Sequence, residues 1–111
     1  MEHTALITGA SGGIGRELAR LCAGKGWKLV LVSRNEEKMQ ALAAELDTEV
    51  LVVPLDLSTR DASETLKKKL DALNIKVDVL INNAGFGSKG AFSNLDLANE
   101  LSMIDLNVRA V

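Results

Sequence analysis

The sequence predicts an α/β protein, a parallel sheet covered by helices on both faces, and three observations carry that expectation. Short, nearly continuous apolar runs alternate with segments whose apolar residues recur at helical spacing. Every connection between successive runs is long enough to hold a helix and to make the right-handed crossover that parallel strands require. The first run also opens into a glycine-rich loop, Thr8-Gly9-Ala10-Ser11-Gly12-Gly13-Ile14-Gly15, placed just before a helical segment.

The elements follow in order. Thr4 to Thr8 is a buried parallel strand ending at Gly9. Ile14, Leu18, Leu21 and Cys22 recur as a helix face, and Gly24 and Gly26 stop that helix. Trp27 to Ser33 is the second strand. Asn35 can cap the next helix, with Glu36 and Glu37 favourably placed at its positive end and Met39, Leu42, Ala43 and Leu46 on its apolar face. Glu49 to Leu55 is a third strand, and Pro54, which lacks a ladder donor, suits a strand end or a sheet edge. Ser58 or Thr59 is expected to cap a third helix whose inner face is Ala62, Leu66, Leu70 and Leu73. Val77 to Ile81 is a fourth strand, closed by Asn82-Asn83-Ala84-Gly85. A last helix is expected from the spacing of Leu97, Leu101, Ile104, Val108 and Val111. Its rhythm still runs at Val111 with no stop signal, so the chain reads as cut in mid-element.

Composition narrows the function classes. A net charge of −2 and a pI of about 5.4 leave no basic field for nucleic acid or anionic lipid. The Lys67-Lys68-Lys69 run reads as a solvated helix face. The single cysteine, Cys22, excludes an internal disulfide and fits a reducing compartment. No apolar stretch reaches the length of a membrane span and Met1-Glu2-His3 does not begin a signal peptide, so the expected location is cytoplasmic. No Cys, His or carboxylate cluster has metal-ligand spacing. His3 reads as a surface residue and Cys22 as a small core residue.

The glycine loop carries the chemistry. A loop between a strand and a helix N-terminus offers unpaired N–H groups and the positive end of a dipole, which suits a phosphate. Glycines stand at 9, 12, 13 and 15, giving Thr-Gly-x-x-x-Gly-x-Gly instead of the ordinary dinucleotide fingerprint. With Asn82-Asn83-Ala84-Gly85 after the fourth strand, Asp56-Leu57 after the third and Leu106-Asn107-Val108 in the last helix, the chain resembles the short-chain dehydrogenase/reductase family along nearly all its length.

That resemblance implies a Rossmann-like doubly wound parallel sheet with only the first four strands present, in the order 3-2-1-4. Residues 1–111 would form a dinucleotide-binding domain truncated at its C-terminus. Thr8 would tie the loop to the Asn-Ala-Gly segment. Gly9, Gly13 and Gly15 would admit the pyrophosphate, with Ser11 and Ile14 lining the cofactor. Asp56 would hold the adenine amino group while Leu57 packs beside the ring. Asn83, Ala84 and Gly85 would border the nicotinamide ribose, and Asn107 would be the family's helix asparagine, the one member of the catalytic group in this chain. Because strand four would lie at the open end of the truncated sheet, self-association through Val77 to Ile81 is expected.

The second strand ends in Ser33-Arg34, without the carboxylate that holds an NAD ribose, so NADP is expected over NAD. Arg16 is expected near the same rim. Family chemistry is hydride transfer between a nicotinamide and a small carbonyl or alcohol substrate, and it requires a Tyr-x-x-x-Lys. The sequence has no tyrosine, so this chain alone is expected to be inactive. The leading expectation is an N-terminal, cofactor-binding fragment of an NADP-dependent short-chain oxidoreductase whose full-length parent is a homo-oligomer. The alternatives are a non-catalytic dinucleotide-binding module or sensor, and a structural or assembly partner that has lost the ligand.

Overall fold

The computed structural model describes residues 3–9, 12–56, 59, 61–82 and 104–107. The elements run β1 (Thr4–Thr8), α1 (Gly13–Gly24), β2 (Lys28–Ser33), α2 (Glu36–Glu45), β3 (Val50–Pro54), α3 (Ala62–Ala72), β4 (Val79–Asn82) and β5 (Ile104–Asn107). All five strands pair in parallel, in the order β3-β2-β1-β4-β5. The expected order 3-2-1-4 is present within this sheet.

Alternation along β1 and β2 explains why helices cover both faces. Ala5, Ile7, Leu29 and Leu31 point to one side and pack with Ala19 and Cys22 of α1 and Met39 and Leu42 of α2. Leu6, Val30 and Val32 point to the other and pack with Leu66 and Leu70 of α3. The two helices that follow β1 and β2 therefore share one face, and the crossover from β3 to β4 runs over the opposite face. This is the doubly wound arrangement.

Several expectations are corrected. The last helix is not found at Ile104 to Asn107: these residues form β5, paired in register with β4 from Val79↔Ile104 to Asn82↔Asn107. Apolar residues at 101, 104, 108 and 111 fit a helix, but Ile104 and Leu106 also alternate as a strand does, and the open flank of β4 supplies the ladder partner. The sheet consequently has five described strands, and β4 lies between β1 and β5 instead of forming an exposed edge. Val77 and Asp78 precede the strand, with the Asp78 N–H donating to the Thr4 carbonyl at 2.9 Å.

The inner face of α1 is built from Gly15, Ala19 and Cys22, with Leu18 partly buried, whereas Ile14 and Leu21 are 40% and 63% exposed. Small residues allow the helix to sit close to the sheet, and the larger apolar side chains are left on its outer side. Finally, α3 is capped at Asp61, without a side-chain cap bond; Thr59 instead donates its hydroxyl to the Asp56 carbonyl at 2.9 Å. Leu73, expected inside, is half-exposed at the helix end.

The helices are held by ordinary devices. Asn35 accepts the Lys38 N–H at 3.0 Å and starts α2. Arg20 of α1 donates its Nε to Glu45 of α2 at 2.8 Å, joining the two helices that share a face. After α3 the chain turns at Asn74, whose φ is 56°, while the Ile75 N–H closes back on the Leu70 carbonyl at 2.9 Å. Leu66→Ala is expected to lower unfolding stability by about 2–5 kcal/mol, since it opens a cavity beneath α3. Leu21→Ala should change it by less than about 0.5 kcal/mol. Urea denaturation of both variants checks the assignment, and equal losses would contradict the inner face given for α1.

Candidate functional site at the carboxyl edge of the sheet

Parallel pairing in register brings the ends of the strands to one edge. Thr8 lies opposite Val32 on β2 and Asn82 on β4, Ser33 lies opposite Pro54, and Asn82 lies opposite Asn107. Helices leave β1 and β3 on opposite faces, so a crevice opens beside the end of β1, the place where α/β sheets take ligands.

The loop at this crevice has a defined start. Gly9 turns at a φ of 64°, which L side chains rarely adopt, and its N–H donates to the Val32 carbonyl at 3.0 Å. Thr8, fully buried, is the one buried polar residue among the described residues. Gly12 then donates its N–H to the Gly9 carbonyl at 3.2 Å and caps α1, and its own carbonyl accepts the Arg16 N–H at 2.9 Å. Gly12 stands outside the set Gly9, Gly13 and Gly15 expected to meet the pyrophosphate and serves as the cap. Its position between the loop and the first helical apolar residues is the signal for a cap.

The N-terminus of α1 differs from its neighbours. It has no side-chain cap bond and no acidic residue in its first turn. By contrast, α2 has the Asn35 cap with Glu36 and Glu37, and α3 has Glu64. The first-turn N–H groups of α1 thus keep their positive potential for an external anion. Gly13 tests that reading sterically. Its backbone needs no positive φ, and a Cβ built on it meets no atom of the described residues outside its own helix turn within 4 Å. Nothing in the described fold demands glycine there, whereas a phosphate approaching the backbone does. Ile14 lies exposed beside it and Gly15 is buried against the sheet.

The adjacent rim is formed by the end of β2. Ser33 is half-buried, and its Oγ accepts the Asn35 N–H at 3.2 Å. Ser33, Arg34, Asn35, Glu36 and Glu37 line an open concavity. Arg34 and Arg16 are exposed, and neither forms an ion pair among the described residues. The Leu55 N–H donates to the Ser33 carbonyl at 2.9 Å, which keeps the chain leaving β3 beside the end of β2. Asp56 follows, half-buried, its carbonyl accepting the Thr59 N–H at 3.3 Å.

The structure therefore gathers Thr8, Gly9, Gly13, Ile14, Gly15, Ser33, Arg34, Asp56 and the backbone of Asn107 at one edge. Asn107 reaches it at the end of β5 and not from a helix, so its expected helical placement is corrected. Ser11, Leu57, Asn83, Ala84 and Gly85 lie outside the described residues.

Among the described residues no other constellation competes. Cys22 is buried, and burial pushes its thiol up, away from the thiolate a nucleophile needs near neutrality. His3 stacks edge-on to Trp27 with ring centroids 5.3 Å apart, at the opposite, amino edge of the sheet. Among the described residues no three His, Cys, Asp or Glu gather as metal ligands, and no helix is long and apolar enough to cross a membrane.

Comparison with known proteins agrees with this geometry. The sequence model of the family described as short chain dehydrogenase matches residues 3–111. Among curated relatives, the nodulation protein G of a Rhizobium species is 40% identical over 96% of this chain and 44% of its own length. Sulfoacetaldehyde reductase 2 of Chromohalobacter salexigens is 38% identical over 100% of this chain and 45% of its own length. This chain thus spans less than half of either relative. Among solved structures, a Thermococcus sibiricus alcohol dehydrogenase complexed with 5-hydroxy-NADP superposes with a TM-score of 0.69 at 36% identity, covering 78% of this chain and 39% of that one. An NAD+-bound xylitol dehydrogenase gives 0.66 at 30% identity, over 76% and 34%. With its glycine loop, sheet order and sequence all in agreement, the chain belongs to the short-chain dehydrogenase/reductase family.

Proposed function

We propose that residues 1–111 are the dinucleotide-binding part of an NADP-dependent short-chain oxidoreductase that transfers hydride between the nicotinamide and a small carbonyl or alcohol substrate. Arg34 carries the choice of cofactor. It is exposed at the end of β2 and without an ion-pair partner among the described residues, and no carboxylate ends that strand. A guanidinium there matches a 2′-phosphate, which an aspartate would repel. A hydrogen bond to a charged group contributes about 1.5–3 kcal/mol. The exposed Glu36 and Glu37 together oppose it by about 0–2 kcal/mol through solvent, which reduces the arginine contact without matching its upper range. The Thermococcus neighbour with its NADP analogue supports this choice, and the NAD+-bound neighbour is the reason to test it.

Each residue then has a task. The N–H groups opening α1 hold the pyrophosphate, Gly9 sets the turn that points them outward, and Gly13 leaves the space. Ile14 lines the cofactor with Ser11. Asp56 accepts from the adenine amino group beside Leu57. Asn83, Ala84 and Gly85 border the nicotinamide ribose, and Asn107 belongs with the catalytic group. A bound nicotinamide supplies or accepts the hydride. The proton at the substrate oxygen needs a base, and tyrosine, the family's choice, is absent from these residues. This chain therefore binds without turnover, and the carbonyl or alcohol site belongs to a longer, homo-oligomeric, cytoplasmic parent. A second reading is a non-catalytic dinucleotide-binding module.

Isothermal titration of the 111-residue chain should show tighter binding of NADP+ than of NAD+. Arg34→Asp should weaken NADP+ by ten-fold or more, an estimate of about 1.4 kcal/mol for one lost contact. Equal NADP+ affinity in wild type and variant would refute the cofactor assignment. Gly13→Ala should leave the melting temperature unchanged or slightly higher, because its Cβ meets no described residue outside its own helix turn, while weakening NADP+ and NAD+ alike. A variant that binds both normally would place the pyrophosphate elsewhere. No NADPH consumption is expected when aldehydes are added to the wild-type chain, and measurable turnover would contradict the missing-base argument.

A further inference from the structure

Arg34 stands between two anchored residues. On one side, the Ser33 carbonyl accepts the Leu55 N–H at 2.9 Å and Ser33 Oγ accepts the Asn35 N–H at 3.2 Å. On the other, Asn35 Oδ1 accepts the Lys38 N–H at 3.0 Å and its carbonyl accepts the Met39 N–H at 3.2 Å. Met39 is fully buried beneath α2, so Asn35 is tied through one helical turn to the core. The Arg34 backbone is thereby held although its side chain is exposed, which lowers the ordering cost of a contact made by that side chain.

The chemistry of the cap adds a second observation. Aspartate caps a helix as well as asparagine does, and the dipole favours it. The first turn of α2 already carries Glu36 and Glu37. Helix stability alone would thus accept a carboxylate at position 35. Asparagine supplies the same acceptor while keeping the residue beside Arg34 uncharged.

We propose that Asn35 is a specificity-positioning residue: its side chain, which accepts the Lys38 N–H, and its backbone N–H, which donates to Ser33 Oγ, hold Arg34 for a 2′-phosphate, and its neutrality adds no third carboxylate to the rim that Glu36 and Glu37 already line. This rests on the Arg34 reading above. Asn35 acts through Arg34 and through charge, so its signature is the ratio of NADP+ to NAD+ affinity.

The test measures dissociation constants of the 111-residue chain for NADP+ and NAD+, with melting temperatures, in Asn35→Asp, Asn35→Ala, Asn35→Ser and Arg34→Asp. Asn35→Asp keeps the cap and the melting temperature, yet should weaken NADP+ by about three- to five-fold while changing NAD+ by less than about two-fold. Asn35→Ala should lower the melting temperature and the NADP+/NAD+ preference together, and Asn35→Ser should restore both. An Asn35→Asp protein that binds both dinucleotides as wild type does overturns the inference. So does an Asn35→Ala protein that loses both equally, the mark of a purely structural cap. If Arg34→Asp weakens NADP+ and Asn35→Asp does not, only this inference falls; if neither does, the Arg34 reading falls with it.

Discussion

Strand β1 is paired in parallel on both sides, with β2 through Thr4↔Lys28 to Thr8↔Val32 and with β4 through Ala5↔Val79 to Thr8↔Asn82. Those two ladders fix where every other element goes. They leave Ala5, Leu6 and Ile7 with no exposed surface, alternating between the two cores, so a slip of one residue would exchange the faces that α1 and α3 cover. Burying three such side chains contributes roughly 1.5–3 kcal/mol for each of the larger two, which makes the register costly to change. Because the register holds, the ends of β1, β2, β3 and β4 meet at a single edge, and the loop between β1 and α1 opens onto it.

From that edge the three helices diverge in character. The two whose starts need only stability carry acidic first turns, and α2 adds a side-chain cap. The start of α1 forgoes both and takes glycine where neither backbone angle nor packing asks for it. A helix start left uncapped loses on the order of 1 kcal/mol, which a domain stable by about 5–15 kcal/mol can accommodate. The fold therefore gives up a little local stability at the helix start that follows the glycine loop. Arg34, by contrast, is presented from a turn whose every neighbour is tied down, an arrangement suited to a charge that meets a ligand without rearranging.

Much of this was legible in the residues. Strands such as Lys28–Ser33 are apolar on both faces because helices cover both, and that pattern survives any detail of packing. Asn35 before Glu36 and Glu37 announced its helix by its own chemistry. What misled were positions where size and burial part company. Ile14 and Leu21 had the right spacing for an inner face, but Gly15 and Ala19 let α1 approach the sheet and took that place. Ile104 to Asn107 satisfied two periodicities at once, and only the open side of β4, a partner distant in sequence, decides for a strand. The candidate site was legible through the glycine loop and Ser33-Arg34. The tie from Leu55 to Ser33 was not, because a backbone hydrogen bond leaves no mark on residue type.

Amide hydrogen exchange of the 111-residue chain, with and without saturating NADP+, tests most directly that this edge is a dinucleotide site. The account predicts protection at residues 9 to 16 and 33 to 35, with unchanged exchange at the amino edge, around Lys28 and Lys76. Unchanged exchange throughout, or protection confined to the amino edge, would contradict it.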